Sequence, residues 1–384
     1  MPKPTKNTES PVSSLVLLAK MPGRTSFSSL FFVKHALGTK KVGHTGTLDS
    51  FAEGLLVVCT GGLTRIASRI TAFDKEYEAI IAFGKETDTL DPYGAAVRTA
   101  PLPTVEGFMN AFNSFKGELM QRPPAFSALH VDGKRASDLA RKGVEVEVPE
   151  RPITVFSSSI KEIREKDGFV EYAHVVFHVS KGTYIRSLAR DIALSCGSAA
   201  HLVGLLRTKV GSFRLEDAAG YSLLKPFSIE RVVSCLEDVR EDMCEDVREA
   251  ENPPGSNGRV AVDGTTQGDA RGNADASGEA NKQTIQAEIR QKMRGMTPDL
   301  AVECGFTPVF LKDGYIDWFY HGKPLSERIF RQLPPSSESP QSENANKEYA
   351  VFAGENKEKS VFAGMVERYG KSFRYMFVIP LDND

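Results

Sequence analysis

The sequence predicts an α+β fold: a mixed, mostly antiparallel sheet with irregularly spaced helices, followed by a small C-terminal domain. Runs such as FVEYAHVVFHVSKG place apolar side chains at alternate positions, the pattern of a strand with one buried face. Helical periodicities fall between the strands at uneven intervals, unlike the regular alternation of a parallel βαβ sheet. Near residue 245 the pattern gives way to a stretch almost devoid of large apolar residues, and apolar material resumes near residue 285.

Taken in order, SLVLLAK reads as a strand, and Thr25 is placed to cap a helix through SFSSLFFVKHAL. A Gly- and Thr-rich turn leads to a strand from Leu55 to Cys59, a helix over LTRIASRITAF and a strand over KEYEAIIAFG. VEGFMNAFNSF is helical in period, whereas QRPPAFSALHVDGKR starts with a Pro-Pro pair that no helix interior accepts. The strand FVEYAHVVFHVSKG is followed by a helix over TYIRSLARDIALSC, with Arg186 about one turn in. Three segments are expected: a catalytic domain over 1–245, a disordered linker over 246–284 and a small domain over 285–384. The linker is Gly-, Asn-, Asp- and Ser-rich and buries too little to offset its ordering entropy. EDVREDMCEDVREAE, just before it, reads as a solvated helix, and PPSSESPQSENANKE as a loop. The tetrad VFAG occurs at Val351 and again at Val361, from paired strands or a local duplication.

Composition narrows the function classes. With 384 residues, 41% hydrophobic and 26% charged, there is ample material for a core. No run approaches the length of a membrane span, and MPKPTKNTESPVSS lacks the apolar segment of a secretory signal. The five cysteines are odd in number, scattered and without C-x-x-C spacing, so neither zinc nor a disulfide framework is indicated and a reducing cytoplasm is the expected home. A net charge of −2 hides an asymmetry: residues 1–230 hold 29 Lys and Arg against 24 Asp and Glu, residues 231–300 hold 9 against 14, and residues 301–384 hold 10 against 12. A mildly basic first part permits phosphate binding without demanding it. CTGGLT lacks the Lys and spacing of a P-loop, and GKETDTLDPYG lacks the ligand spacing of an EF-hand and reads as a solvated loop.

The chemistry is expected around GHTGTLDSFAEGLL, Gly43 to Leu56, where a single carboxylate, Asp49, sits between a Gly/Thr turn and an apolar run. Singly, Asp49 reads better as an Asx-type cap of its turn, Arg186 as a solvent-facing helix residue or surface ion pair, and Tyr77 as a packing residue of its strand. Together, GHTGTLDSFAEGLLVVCTGGLTR, KEYEAIIAFGKETDTLDPYG, QRPPAFSALHVDGKR, SKGTYIRSLARDIA and AHLVGLLRTKVGSF occur in order. From Ser14 to Phe213 the chain thereby resembles the TruB family of tRNA pseudouridine synthases, of bacterial type. The resemblance implies the pseudouridine synthase fold and conversion of uridine 55 in the tRNA T loop to pseudouridine. That isomerisation needs no redox change, nucleotide energy or metal, so no cofactor is expected.

By the same resemblance Asp49 is the acting carboxylate, Arg186 the partner that keeps it ionised, and Tyr77 the aromatic that stacks on the base and helps move its proton. His44 would enter the space vacated by the flipped base, and Tyr184 and Leu205 would line the pocket. Lys20, Lys181, Arg65 and Arg207 are phosphate candidates by charge and neighbourhood. Three positions depart from the family pattern: Ser50 stands where Pro is common, His130 where Lys is usual, and Ser137 where Tyr is usual. GYIDWFYHGKPL has some likeness to the small RNA-binding domain that often ends this family. The expected partner is the T stem-loop of tRNA, bound by a monomer with no membrane contact. Two other readings stay open: a glycosidase-like enzyme that releases the base, and a tRNA-binding or folding-assistant protein whose site is idle.

Overall fold

A computed structural model describes residues 12–127, 129–131, 133–136, 139, 141–142, 148–237, 269–333, 347–354, 357–369 and 372–379. Strand β1 (Ser14–Lys20) is buried along its whole length, and helix α1 (Ser26–Leu37) follows it. Thr25 caps that helix as expected, its Oγ1 accepting the Ser28 N–H at 3.0 Å. Then come β2 (Val42–His44), β3 (Glu53–Thr60), helix α2 (Ala67–Thr71) and β4 (Lys75–Phe83). The helix expected over LTRIASRITAF is divided, since residues Gly61–Ile66 wind as a tighter 3-10 turn before α2 begins. Short strands β5 (Lys85–Thr87) and β6 (Ala96–Thr99) precede α3 (Val105–Ser114) and β7 (Gly117–Gln121). After the two-residue strands β8 (His130–Val131) and β9 (Lys134–Arg135), the long strands β10 (Arg151–Lys166) and β11 (Phe169–Val179) form a hairpin. Helix α4 (Ile185–Ser195), β12 (Ala200–Val210) and β13 (Phe213–Arg214) complete this part.

Among the described residues the large sheet runs β14-β1-β3-β12-β4-β11-β10-β7, where β14 is Arg294–Gly295. Its pairings are antiparallel except β3 with β12, which is what mixed, mostly antiparallel means here. The period-two pattern divides the core between its faces. On β4, Tyr77, Ala79, Ile81 and Phe83 pack with α3 and α4, whereas Ile80 and Ala82 face the opposite cluster around Ile229 and Val232. On β1, Leu15 and Leu17 meet the C-terminal part, whereas Val16 and Leu18 meet α1.

One close approach fixes where β3 meets β12. Gly54 has φ +112°, and a Cβ there would lie 2.4 Å from the Arg207 carbonyl oxygen. Only glycine combines that backbone conformation with that contact.

The expected linker lies outside the described residues up to 268, but its end does not. Helix α5 (Asp269–Lys292) occupies it, and Ile285 and Ile289 are buried with Leu30 and Val33 of α1. Its buried anchors, Ile285 and Ile289, lie just past the expected linker, where apolar material resumes. EDVREDMCEDVREAE lies outside the described residues beyond 237, and PPSSESPQSENANKE up to 346. The C-terminal part holds helices α6 (Pro298–Glu303) and α7 (Ile316–Tyr320) and a second sheet, β15-β16-β17-β18 (Thr307–Phe310, Lys347–Gly354, Ser360–Tyr369, Ser372–Val378). The repeated VFAG tetrads are neighbours on β16 and β17, with Phe352 opposite Phe362. Leu300, Cys304, Phe352 and Phe377 share a core with Leu15, Leu55 and Cys59, so the two sheets are joined by an apolar seam. Among the described residues no helix is long and apolar enough to cross a membrane.

Candidate active site

The turn bearing Asp49 is held from three sides. Ser26 Oγ accepts the Leu48 N–H at 2.8 Å and donates to the Leu48 carbonyl at 3.0 Å. Gly23 N–H donates to the Ser50 carbonyl at 2.9 Å. The Lys20 ammonium, 1% exposed, donates to the carbonyls of Met21, Ser50 and Ala52. Buried donors fixed to backbone carbonyls can hold a turn whatever residue stands at its corner, which accounts for Ser50 in place of a proline. Lys20 is thus spent on the turn and is not among the cavity's lining residues, unlike the phosphate contact expected of it. Burial pulls its pKa down to about 8.

Asp49 meets Arg186 across 137 residues of sequence: Arg186 Nη2 donates to Oδ1 at 3.1 Å, and Nε stands 2.9 Å from Oδ2 as an ion pair too bent for a hydrogen bond. Arg186 is 4% exposed, and its fork is occupied elsewhere too. Nη1 donates to the Thr89 carbonyl at 2.6 Å and Nη2 to the Phe126 carbonyl at 3.0 Å. Arg186 is the second residue of α4, nearer the helix start than expected. Burial pushes the Asp49 carboxyl above its ordinary value; Arg186 and Lys20 oppose that rise, and Asp91 adds to it. The guanidinium therefore limits an upward shift rather than setting the acid below the usual carboxylate range.

A cavity of about 470 Å³ opens beside this pair, with Asp49, Arg186, Tyr77, Tyr184, Leu205 and Arg207 among its lining residues. Tyr77 on β4 lies opposite Phe177 of β11 and Arg207 of β12, and is 9% exposed. Residues directly opposite one another in a sheet share a face, so Tyr77 and Arg207 approach the cavity together. Arg207 Nε donates to the Leu55 carbonyl at 2.7 Å and Nη2 to Gly46 at 3.2 Å, which ties β12 to the turn. Leu205, 5% exposed, supplies apolar wall. Tyr184 is clamped by Gln121, whose Oε1 accepts its N–H at 2.9 Å and whose Nε2 donates to its carbonyl at 3.1 Å. Burial pushes the Tyr184 phenol up.

The other candidates fall elsewhere. His44 ends β2 opposite Val58, outside the lining set; its buried Nδ1 has no partner, and burial together with Arg207 pulls its pKa down. Lys181 is exposed and not a lining residue, and Arg65 lies with its guanidinium 5.2 Å over the ring of Phe377. Only the backbone of His130 is described, and Ser137 lies outside the described residues. Among the described residues no group of three or more His, Cys, Asp or Glu is arranged to hold a metal ion.

Four contributors were not legible as site residues. The Thr89 and Phe126 carbonyls are backbone groups and carry no sequence signature, and Gln121 had none beyond its place before the Pro-Pro pair. Lys75, the first residue of β4, lines the cavity and carries no sequence signal that marks it. The loop over GKETDTLDPYG is more than solvated: Leu90 is 4% exposed with φ +58°, and Asp91 Oδ1 accepts from Thr89 Oγ1 at 2.7 Å and from the Tyr93 N–H at 3.0 Å. That left-handed leucine is a strained conformation, and the Thr89 carbonyl just before it accepts from Arg186.

Comparison with known proteins places these features in a family context. A family profile described as TruB family pseudouridylate synthase (N terminal domain) matches residues 34–185. A tRNA pseudouridine synthase B of Treponema denticola is 51% identical over 229 residues, covering 56% of this chain and 64% of that protein, less than two thirds of its length. A protein of the same name from Treponema pallidum is 37% identical over 340 residues, covering 83% of this chain and 88% of that protein. A chain in the crystal structure of a Cbf5-Nop10-Gar1 complex superposes with TM-score 0.55 at 20% identity, over 95% of this chain and 84% of that one, a likeness of fold.

Proposed function

The chain belongs to the TruB family of pseudouridylate synthases, and from that premise we propose that it isomerises tRNA uridine to pseudouridine, at position 55 of the T loop, with Asp49 as the acting carboxylate. The observation that supports this most is the Asp49–Arg186 pair, joined at 2.9 and 3.1 Å beside a cavity lined by Tyr77 and Leu205.

The reaction breaks the C1′–N1 bond, turns the base and forms a C1′–C5 bond; the C5 proton leaves and N1 gains one. Positive character builds on the ribose as the base departs. A carboxylate placed at the sugar attacks or stabilises that centre, the role such groups have in glycosyl chemistry. Asp49 must be ionised to do so. Arg186 favours the charged form against burial, while its ties to Thr89 and Phe126 keep the guanidinium from following the substrate. A stacked uridine cannot reach such a cavity and has to be extruded from its loop, at a cost of a few kcal/mol. Tyr77 returns part of that cost by stacking on the base, at roughly 1–3 kcal/mol. Leu205 and the apolar core beneath β4 and β12 wall one side of the cleft, and a stacked base fills the space beside it, so a base that has left the sugar is recaptured before hydrolysis competes.

Treating an unmodified tRNA transcript with the purified protein tests the proposal directly. Pseudouridine at position 55 with no change in RNA mass and no free uracil is the expected result. Uracil release would point to a glycosidase, and bound but unaltered tRNA to a protein that uses the site only for binding.

A further inference from the structure

The segment leading to the Asp49 turn has a charge character unlike the rest of the chain. From residue 10 to residue 48 there is no Asp or Glu, while Lys20, Arg24, Lys34, Lys40 and Lys41 supply five positive charges. Helix α1 lies within it and has two distinct faces. Leu30, Val33 and Ala36 are buried with β1, β3 and α5. The other face presents Phe27, 71% exposed, and Phe31, 43% exposed, one turn apart on a single stripe.

Basic side chains and a further ring flank this stripe. The Lys34 ammonium lies 5.0 Å over the Phe27 ring, the His35 ring centroid is 4.0 Å from that of Phe31, and the Arg24 guanidinium is 5.2 Å over the neighbouring Phe32. Arg24, His35, Lys40 and Lys41 are themselves exposed. The stripe also begins at the catalytic turn: Ser26, directly before Phe27, exchanges both hydrogen bonds with Leu48, next to Asp49. Thr47 of the same turn lines the cavity, so α1 starts at the cavity's rim.

We propose that this face of α1 is a second RNA contact, a stacking platform on which Phe27 and Phe31 take an unpaired base of the substrate RNA outside the cavity while Arg24, Lys34 and Lys41 hold the flanking phosphates. The inference rests on the tRNA reading above. Exposed aromatic faces interleaved with cations are what an unstacked nucleotide requires, because every base offers a π-face and every linkage a negative charge. A nucleotide extruded into the cavity brings its neighbours to the rim, where this surface begins. The absence of any acid over 10–48 fits a polyanion, and a neutral apolar partner would have no use for the charges.

The test is the double substitution Phe27→Ser and Phe31→Ser, with Phe27→Tyr and Phe31→Tyr as the aromatic control. Both positions are exposed, and thermal melting checks that each variant folds. The serine variant is expected to raise the Kd for a tRNA transcript about fivefold or more, the effect of losing a stacked base, with the loss falling on KM rather than kcat. The tyrosine variant recovers wild-type affinity. The inference is overturned by a serine variant whose Kd stays within twofold of wild type, or by a loss that tyrosine does not restore. It is also overturned if the substitutions change only the sedimentation of the free protein, which would assign the face to a second copy of the chain. Wild-type protein that makes no pseudouridine in the same assay defeats the isomerase reading instead, and the Kd comparison still decides this one.

Discussion

Removing Arg186 probes the balance at the site most sharply. In the wild type, burial raises the Asp49 carboxyl, and Arg186 is the largest influence opposing it. Arg186→Ala deletes the 3.1 Å hydrogen bond and the 2.9 Å ion-pair contact and leaves the Thr89 and Phe126 carbonyls without their donor. Breaking a fully buried pair in this way costs about 3–5 kcal/mol. The Asp49 side chain keeps 36% of its surface open, so solvent screening reduces the cost to ionised Asp49 to roughly 2 kcal/mol, which sets a ceiling of about 30-fold on the loss of rate at neutral pH. The direction with pH follows. With its cation gone, Asp49 takes up a proton at higher pH than before, so the acidic limb of the rate profile moves upward and alkaline pH restores part of the rate. Single-turnover release of tritium from 5-³H-uridine tRNA, measured across pH for wild type, Arg186→Lys and Arg186→Ala, reads both effects, with lysine intermediate because it keeps the charge but not the fork. An alanine variant within threefold of wild type, with its acidic limb unmoved, would refute the ion-pair reasoning.

Asp49→Asn is expected to abolish pseudouridine while leaving tRNA Kd within about threefold, read by filter binding. Its melting temperature at pH 7 should change little: an acid whose folded pKa is raised loses its stabilising contribution as pH rises through that pKa, so removing the ionised form helps, while Arg186 is left with only the Thr89 and Phe126 carbonyls, which costs a comparable amount. Tyr77→Phe should keep tRNA affinity and lose rate, whereas Tyr77→Leu should weaken KM by the roughly 1–3 kcal/mol of a stacked base; equal KM in the two variants would remove stacking from the account. Gly54→Ala forces a Cβ to within 2.4 Å of the Arg207 carbonyl oxygen and should destabilise by about 2–4 kcal/mol in urea unfolding, against a negligible change if β3 and β12 can separate.

Much of the fold was legible because it rests on local pattern. The strand SLVLLAK, the Thr25 cap and the helix after it, the alternation over Phe169–Val179 and the helix carrying Arg186 follow from periodicity and capping. The divided helix after β3 was not, since a 3-10 turn and an α-helix share nearly the same apolar spacing. Helix α5 begins before the boundary expected at 285, because the polar run from Asp269 carries no apolar period of its own and the helix's buried contacts with α1 come at Ile285 and Ile289.

At the site, the ordered motifs marked Asp49, Arg186, Tyr77, Tyr184 and Leu205, and all five line one cavity. That much is legible from residue identities in order along the chain once they are matched to the family pattern; taken singly, each residue carries no such signal. Which groups brace the pair was decided by the tertiary structure alone. The Thr89 and Phe126 carbonyls, the Gln121 clamp and the burial of Lys20 against the Asp49 turn are contacts between segments dozens of residues apart. Backbone acceptors look the same at every position of a sequence, and the charge state of an acid depends on the solvent excluded around it, which exists only once the sheet has closed over the turn.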